Sequence, residues 1–330
     1  MRKESIPCRN IEIDALRSFA ILYIVGFWHL HPYYSRFTYL LTYCVLGLFL
    51  YISGLLLSRQ YCHDKFGNIF HYYKRRFFRI YPLFFISLTF FLMMGIIDKD
   101  TFIKSAFLTN MLIPKPLMTL WFITLIGIFY LITPLFLHNY SCWKTILLMC
   151  LCWVGLAIIH SLTGFIDLRL PMYLVPFVLG IITARSSAIV IDGYKRSRYL
   201  QVLCCAVFLG ALWQYPVGNE VTQLIVVDIA IVASIPLFIS LSRLLTKWLP
   251  SQLLEFISYA SFVMYLSHKI LFALSGKLYH SPTFLVQVLY YGCFVLPATI
   301  VLSYFIQLAY DKLITVRGNP DVQQLQGVNL

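Results

Sequence analysis

Ten apolar runs of 15 to 26 residues divide the sequence. A helix that crosses the hydrocarbon core needs about 20 predominantly apolar residues. The chain is 60% hydrophobic and only 12% charged, so its composition excludes a soluble enzyme, a disordered chain and a protein with a single membrane anchor. We predict an all-α fold, a polytopic transmembrane helical bundle of about ten spans that forms one domain over residues 1–330. The predicted spans are 14–34, 37–58, 79–97, 117–137, 144–161, 171–185, 198–215, 221–241, 256–275 and 285–310.

Two apolar segments need separate treatment. The run that follows the N-terminus is too long for a signal peptide and lacks a small-residue cleavage site, so we expect it to remain as the first span. A shorter run, 102–113, is interrupted by Lys104 and Asn110 and ends at Pro114. Because it is too short to cross the bilayer, it is predicted to be an interfacial or re-entrant piece.

The distribution of Lys and Arg predicts the orientation of the bundle, since cytoplasmic loops carry the excess. With the N-terminus inside, 18 Lys and Arg residues lie in cytoplasmic segments and 6 in outer segments, with Arg17 and Lys269 within spans. This bias places both termini in the cytoplasm. It also accounts for the net charge of +13 without nucleic acid as a partner.

The first span contains three ionisable residues, and such groups inside a membrane are candidates for function. Asp14 and Arg17 lie near its cytoplasmic end and His29 near its outer end. Two structural interpretations compete with a catalytic one. Asp14 and Arg17 could form an i,i+3 ion pair at the interface, and His29 could be a hydrogen-bonded interior histidine.

A cluster of arginines leads into the third span. On a helix, Arg75 and Arg79 are i,i+4 and Arg76 and Arg79 are i,i+3, so the three guanidinium groups could converge on one side. Guanidinium groups bind phosphate in a bidentate manner, which favours a site for phosphate groups at the membrane surface. In the competing interpretation, these arginines only set the membrane topology and are attracted to anionic lipid.

The remaining residues give weaker signals. Lys269 follows His268 in the ninth span, and Asp228 in the eighth could pack or line a cavity. No P-loop, G-x-S-x-G elbow, H-E-x-x-H or paired-carboxylate motif is found. The nine cysteines form no C-x-x-C pair and lie mostly inside apolar runs, so we interpret them as packing residues and predict neither a disulfide framework nor a metal site.

These pieces, in this order, resemble the acyltransferase-3 family of bacterial inner-membrane acyltransferases. The resemblance extends from about residue 11 to 310, and six motifs in order are far more specific than any one of them. The family's opening D-x-L-R-x-x-A pattern and later histidine match Asp14 to Ala20 and His29, and its R-R-x-x-R-I-Y-P pattern matches Arg75 to Pro82 without a change. The other matches are Phe49 to Leu56 with Ser53 and Gly54, Trp121 with Phe122, Tyr130, Leu131 and Pro134, Phe177 to Gly180, and Ser258 and Tyr259 with Tyr265, Leu266 and His268.

The resemblance implies an integral membrane enzyme that moves an acyl group, usually acetyl, from cytoplasmic acyl-CoA to a sugar hydroxyl of a surface or envelope glycan. It implies a multi-pass protein of the bacterial inner membrane, with acyl-CoA as co-substrate and a glycan or lipid-linked sugar as acceptor. The family's catalytic residue corresponds to His29, and its CoA contacts to Arg75, Arg76, Arg79 and Arg17. Asp14, Tyr81, Trp121, Ser258, Tyr259 and His268 are further candidates on the matched motifs.

Two positions depart from the family pattern. Family members usually place the histidine eleven residues after the arginine, whereas His29 lies twelve residues after Arg17. At about 100° per residue, the extra residue turns His29 to about 120° from the face of Arg17. A π-bulge would absorb it, and Gly26 is a suitable place for one; without a bulge, His29 would face away from Arg17. Many members also carry a glutamate where this chain has Ile126, so we assign the histidine no carboxylate partner.

Two other classes of function are compatible with the sequence. A transporter or flippase for an envelope glycan or lipid-linked sugar would also use many spans, aromatic linings and a few intramembrane charges. A catalytically silent subunit of a polysaccharide synthesis complex is the other. Loss of acyl-CoA binding on substitution of Arg76 or Arg79 would favour the enzyme.

Overall fold

All regular structure that is described is helical. The computed structural model describes residues 10–29, 34–64, 69–109, 111, 119–186, 197–216, 218–279 and 283–316, with only the backbone described at 62–64 and 315–316. No strand occurs within these ranges. Both chain termini, which are predicted to be cytoplasmic, lie outside the described residues.

The helices follow the predicted apolar runs closely. Helix α1 (Ile11–Leu22) continues into a π-helical segment (Tyr23–Trp28), and α11 (Phe284–Tyr290) continues through a second π-helical segment (Tyr291–Val295) into α12 (Leu296–Val316). The others are α2 (Arg36–Asp64), α3 (Ile69–Met93), α4 (Lys99–Ala106), α5 (Trp121–Leu137), α6 (Cys142–Thr163), α7 (Arg169–Arg185), α8 (Arg198–Gln214), α9 (Glu220–Trp248) and α10 (Ser251–Leu278).

Six of the described helical segments are long and apolar enough to cross a membrane, which confirms a multi-pass membrane protein. They are Arg36–Tyr61, Ile69–Met93, Cys142–Thr163, Glu220–Trp248, Ser251–Leu278 and Phe284–Ile314. The helices α5 and α8 are apolar but shorter. Ten crossings and the orientation of the termini stay predictions.

The boundaries of two predicted segments are wrong. The third apolar run was placed at 79–97, but α3 begins ten residues earlier, at Ile69, and ends at Met93. Hydropathy missed its first turns because they carry the cationic cluster, and the chain leaves the helix at Gly95, which has a positive φ of 69°. The short run placed at 102–113 is a helix only over Lys99–Ala106. Asp98 begins that helix, because its side chain accepts a hydrogen bond from the Thr101 amide.

The face of α6 shows how these helices meet their surroundings. Leu147, Leu151, Val154, Ile158 and Leu162 follow one another at helical spacing, and all are exposed. A stripe of large apolar side chains of this length is typical of a helix face in contact with lipid.

The chain forms two compact units, which we call the terminal unit (Met1–Tyr33 and Ile239–Leu330) and the central unit (Tyr34–Phe238). In the terminal unit α1 packs along α10, and α10 packs along α12. Two serine hydroxyls join α1 to α10. Ser18 donates to the carbonyl oxygen of Leu254 at 2.8 Å, and Ser258 donates to the Asp14 carboxylate at 2.7 Å.

The central unit is built on a close crossing of α2 and α7. A Cβ added to Gly54 would lie 2.0 Å from the carbonyl oxygen of Phe177, and one added to Gly180 would lie 2.1 Å from that of Tyr51. Each glycine therefore makes room for the backbone of the opposite helix, as small residues do in membrane helix pairs. Gly54 and Gly180 belong to two of the motifs that the family resemblance rests on.

Candidate active site

His29 lies at the end of the π-helical segment that interrupts the first predicted span. Its amide donates to the carbonyl oxygen of Ile24 at 3.2 Å, which is an i→i−5 bond of π type. The segment Tyr23–Trp28 contains Gly26, the suitable place for a bulge. Of the two alternatives for this spacing, the structure therefore shows the π-bulge. Its extra residue removes about one α-helical step of rotation, and so offsets the additional residue between Arg17 and His29.

Gly26 also fits closely against a neighbouring helix. A Cβ at this position would lie 2.9 Å from Cδ2 of Leu296, at the start of α12. The π-helical segment before His29 therefore packs directly against the residue that follows the second π-helical segment.

The ring of His29 stacks on the ring of His268 from α10. Their centroids are 4.8 Å apart, and the ring planes differ by 29°. His268 is fully buried, whereas His29 is partly exposed. Tyr265 and Phe272 surround His268, each with its ring centroid 5.9 Å away. The terminal unit thus brings together the two histidines that the sequence motifs single out.

Hydrogen bonds to the backbone fix the imidazole of His268. Its Nδ1 lies 2.8 Å from the carbonyl oxygen of Tyr265 and 3.2 Å from that of Met264. Carbonyl oxygens only accept hydrogen bonds, so Nδ1 carries the proton. In the neutral ring Nε2 is then an acceptor, and it has no hydrogen-bond partner among the described residues.

Asp14 and Tyr259, two other candidates in the terminal unit, form hydrogen bonds between helices. Asp14 is buried and accepts the bond from Ser258 described above. Tyr259 donates to the carboxylate of Asp311 on α12, and Gln307 donates to the other oxygen of that carboxylate at 2.9 Å. Arg17 is partly buried on α1.

The arginine cluster belongs to the central unit and occupies the helical N-terminal half of α3. Arg76 is partly buried and donates to the side-chain oxygen of Gln60 at the end of α2. Its guanidinium lies 5.7 Å from the ring centroid of Tyr72 and 5.4 Å from that of Tyr130, so aromatic faces hold the cation in place. Arg75 is also partly buried, whereas Arg79 is exposed.

The sequence alone does not single out Arg185, which counts there only toward the excess of positive charge in the cytoplasmic loops. Its Nε donates to Ser58 at 3.1 Å, and its guanidinium lies 5.3 Å from the ring centroid of Tyr61 and 5.2 Å from that of Tyr140. Arg185 and Arg76 therefore both contact the last turns of α2. The signal available in the sequence was a cation at the end of α7, five residues after Gly180, which places it beside α2.

Tyr81 and Trp121 have structural contacts within the central unit. The hydroxyl of Tyr81 donates to the carbonyl oxygen of Ala106 at 3.0 Å. Trp121 is buried beneath the guanidinium of Arg169, which lies 4.2 Å from its ring centroid. Asp228, a weaker candidate, accepts a hydrogen bond from Trp153 at 2.8 Å.

An ion pair precedes α7. Arg169 donates to both carboxylate oxygens of Asp167, through its Nε at 2.8 Å and its Nη2 at 2.5 Å. Burial raises the pKa of the Asp167 carboxyl, but the hydrogen bonds and charge of Arg169 outweigh this and hold that pKa below its ordinary value. Within the described part of the chain, no three His, Cys, Asp or Glu side chains are grouped so that they could hold a metal ion.

A comparison with family models places the chain among known proteins. The model described as Acyltransferase domain (Acyl_transf_3) matches residues 10–308, which include every candidate residue named above. No curated protein and no solved structure matches the chain. The chain therefore belongs to the acyltransferase-3 family of membrane acyltransferases.

Proposed function

We propose that the chain is an acyl-CoA-dependent O-acyltransferase. It takes an acyl group, expected to be acetyl, from cytoplasmic acyl-CoA and esterifies a hydroxyl of an envelope or surface glycan, or of a lipid-linked sugar. We place it in the bacterial inner membrane as a multi-pass protein. The observation that carries the proposal is His29, which ends a π-helical segment within a matched family motif and stacks on a second buried histidine.

His29 is the proposed catalytic base. As the sugar hydroxyl attacks the thioester carbonyl carbon, a ring nitrogen of His29 takes the hydroxyl proton. The new C–O bond forms, the C–S bond breaks, and the proton then passes to the sulfur of the departing CoA. The second route open to His29 is a covalent acyl-histidine that the hydroxyl resolves. An acyl-enzyme trapped in the absence of acceptor would identify that second route.

Arginines are the proposed contacts for the phosphate groups of CoA. Arg17 and His29 are separated by about 18 Å along the helix axis, at a rise of about 1.5 Å per residue. An extended pantetheine arm has a comparable length, so a nucleotide held near Arg17 can present its thioester near His29. Within the central unit, Arg75, Arg76 and Arg79 on α3 are separate candidates for phosphate contacts from the matched family motif, and Tyr72 and Tyr130 orient Arg76.

Inside-out membrane vesicles supplied with acetyl-labelled acetyl-CoA test the proposal. We expect label in membrane or lumenal glycan with vesicles that contain the protein, and background label with vesicles that lack it. Arg79→Ala is expected to lower the label. Movement of glycan or lipid-linked sugar across the membrane without CoA, with no label transferred, would instead establish the transporter.

A further inference from the structure

His268 carries an acceptor atom that the protein itself does not satisfy. The residue is fully buried, and its Nε2 has no hydrogen-bond partner among the described residues. A buried polar atom without a partner is uncommon and destabilising. Such an atom marks a place where a bound group can complete the hydrogen bonding.

The neighbouring histidine does not satisfy this atom. Nitrogen lone pairs and N–H groups of imidazole lie in the plane of the ring, whereas His29 lies against the face of His268, with centroids 4.8 Å apart and planes 29° from parallel. Stacked rings therefore leave their nitrogens available at their edges. A donor that bonds Nε2 of His268 would therefore lie at the edge of the ring that stacks on His29.

The surroundings hold His268 in one orientation. Both backbone contacts of Nδ1 come from the preceding turn of its own helix, and Tyr265 and Phe272 pack around the ring. Because Nδ1 is committed as a donor, Nε2 offers a lone pair of fixed direction. A fixed acceptor beside a base suits recognition of a substrate better than it suits a second proton-transfer step.

A single sugar hydroxyl cannot serve both rings, since it has only one hydrogen to donate. If the attacking hydroxyl gives its proton to His29, the bond to His268 must come from another donor on the same acceptor. Hydroxyls on adjacent carbons of a sugar lie a few ångströms apart, which suits two stacked rings whose centroids are 4.8 Å apart.

We propose that His268 is a positioning residue that selects an acceptor with two neighbouring donors, one for His29 and one for its own Nε2. The acceptor class is therefore a vicinal diol, or a hydroxyl adjacent to an amide N–H. This inference rests on the proposed function, and it adds the chemical pattern that the acceptor must present.

Three substitutions at His268 separate the parts of this role. In His268→Phe a ring remains for stacking but no acceptor does. In His268→Asn an amide lies at the position of Nδ1, and in His268→Gln an amide reaches the position of Nε2. His138→Gln is the matched control, because His138 is exposed and belongs to the central unit.

The variants are compared in the vesicle assay, in which the membrane supplies the native acceptor, after thermal unfolding has confirmed that each is folded. We expect His268→Phe and His268→Asn to lower the maximal rate at least about tenfold, the cost of one lost hydrogen bond, with the KM for acetyl-CoA unchanged. His268→Gln should recover a large part of the rate. Full activity of His268→Phe, or equal losses in His268→Gln and His268→Asn, would overturn the inference.

Two small probes test the diol directly. A vicinal cyclohexanediol is expected to inhibit labelling of the native acceptor more strongly than cyclohexanol in wild-type vesicles, and this difference should disappear in His268→Phe. Equal inhibition by both compounds would contradict the diol pattern. Absence of any label with wild type would instead overturn the proposed function itself, so the two failures are distinguishable.

Discussion

The imidazole rings of His29 and His268 stack with their centroids 4.8 Å apart, although the residues lie on different helices, α10 and the segment that follows α1. His268 is held by two backbone carbonyls and His29 by the π-type bond to Ile24. Main-chain carbonyls of its own helix therefore fix the ring of His268, whereas the bond to Ile24 fixes the main chain at His29. This arrangement leads to predictions about the site and about the packing that supports the fold.

The π-helical segment allows a test of how His29 is rotated about the helix axis relative to Arg17. Deleting Phe27, which is exposed, reduces the separation of Arg17 and His29 from twelve residues to eleven and leaves Gly26 against Leu296. Because the π turn holds one extra residue, we expect the deletion to convert the segment to regular α-helix and to keep acyl transfer.

Inserting one alanine after Ala20, within regular α1, is the matched control. It turns His29 by about 100° and should abolish transfer. Both chains are compared by label in the vesicle assay and by thermal unfolding. If the deletion were as inactive as the insertion while still folded, the register argument would be wrong.

The glycines at which α2 and α7 cross should not tolerate replacement by a larger residue. Gly54→Ala and Gly180→Ala each place a Cβ about 2 Å from a backbone carbonyl oxygen, so the helices must separate. We expect each to lower the free energy of unfolding by about 1–3 kcal/mol or more, measured by thermal or denaturant unfolding of the purified protein.

Gly155→Ala on α6 is the control, since a Cβ there meets nothing within 4 Å. It should be neutral or stabilising by up to about 1 kcal/mol, and a comparable loss there would contradict the packing argument.

Arg76 should contribute to acyl-CoA affinity. Loss of a charged hydrogen bond to phosphate costs about 1.5–3 kcal/mol, or roughly 10- to 150-fold in affinity. We expect Arg76→Ala to weaken acetyl-CoA binding to the purified protein by that factor. Arg76→Lys should recover only part of it, because an ammonium cannot bind phosphate in a bidentate manner.

Arg198→Ala removes the same charge from an exposed position at the start of α8. It is expected to leave the affinity unchanged. Equal weakening by Arg76→Ala and Arg198→Ala would show that only net charge matters.

Because of Asp167, the stability of the folded protein should decrease at acid pH. Its pKa is held below the ordinary value in the folded protein by Arg169, so the ion pair contributes stability that is present above about pH 4, the unfolded value. That contribution is lost as the pH falls through the lower folded value. Between pH 7 and pH 3, the difference in unfolding temperature between wild type and Asp167→Asn should be constant near neutral pH and should decrease below about pH 4. A constant difference over this range would contradict the assignment.

The sequence predicted the helices well, since a helix overlaps each apolar run. The family's usual spacing of arginine and histidine indicated that a bulge was needed, with Gly26 a suitable place for it. The sequence-based prediction placed the start of α3 ten residues too late, because hydropathy cannot recognise a helix whose first turns carry Lys74, Arg75 and Arg76. Local patterns also could not pair His29 with His268, or place Arg185 between Tyr61 and Tyr140. Those contacts depend on how helices distant in sequence pack, and a periodic apolar pattern does not encode which partner each helix meets.

Acyl transfer by vesicles that carry His29→Ala tests the central claim most directly. With acetyl-labelled acetyl-CoA, we predict background label in glycan for His29→Ala and wild-type label for His138→Ala, when both variants are folded and present at equal amounts. Full label with His29→Ala would contradict both the general-base and the acyl-histidine routes, and would remove His29 from the chemistry.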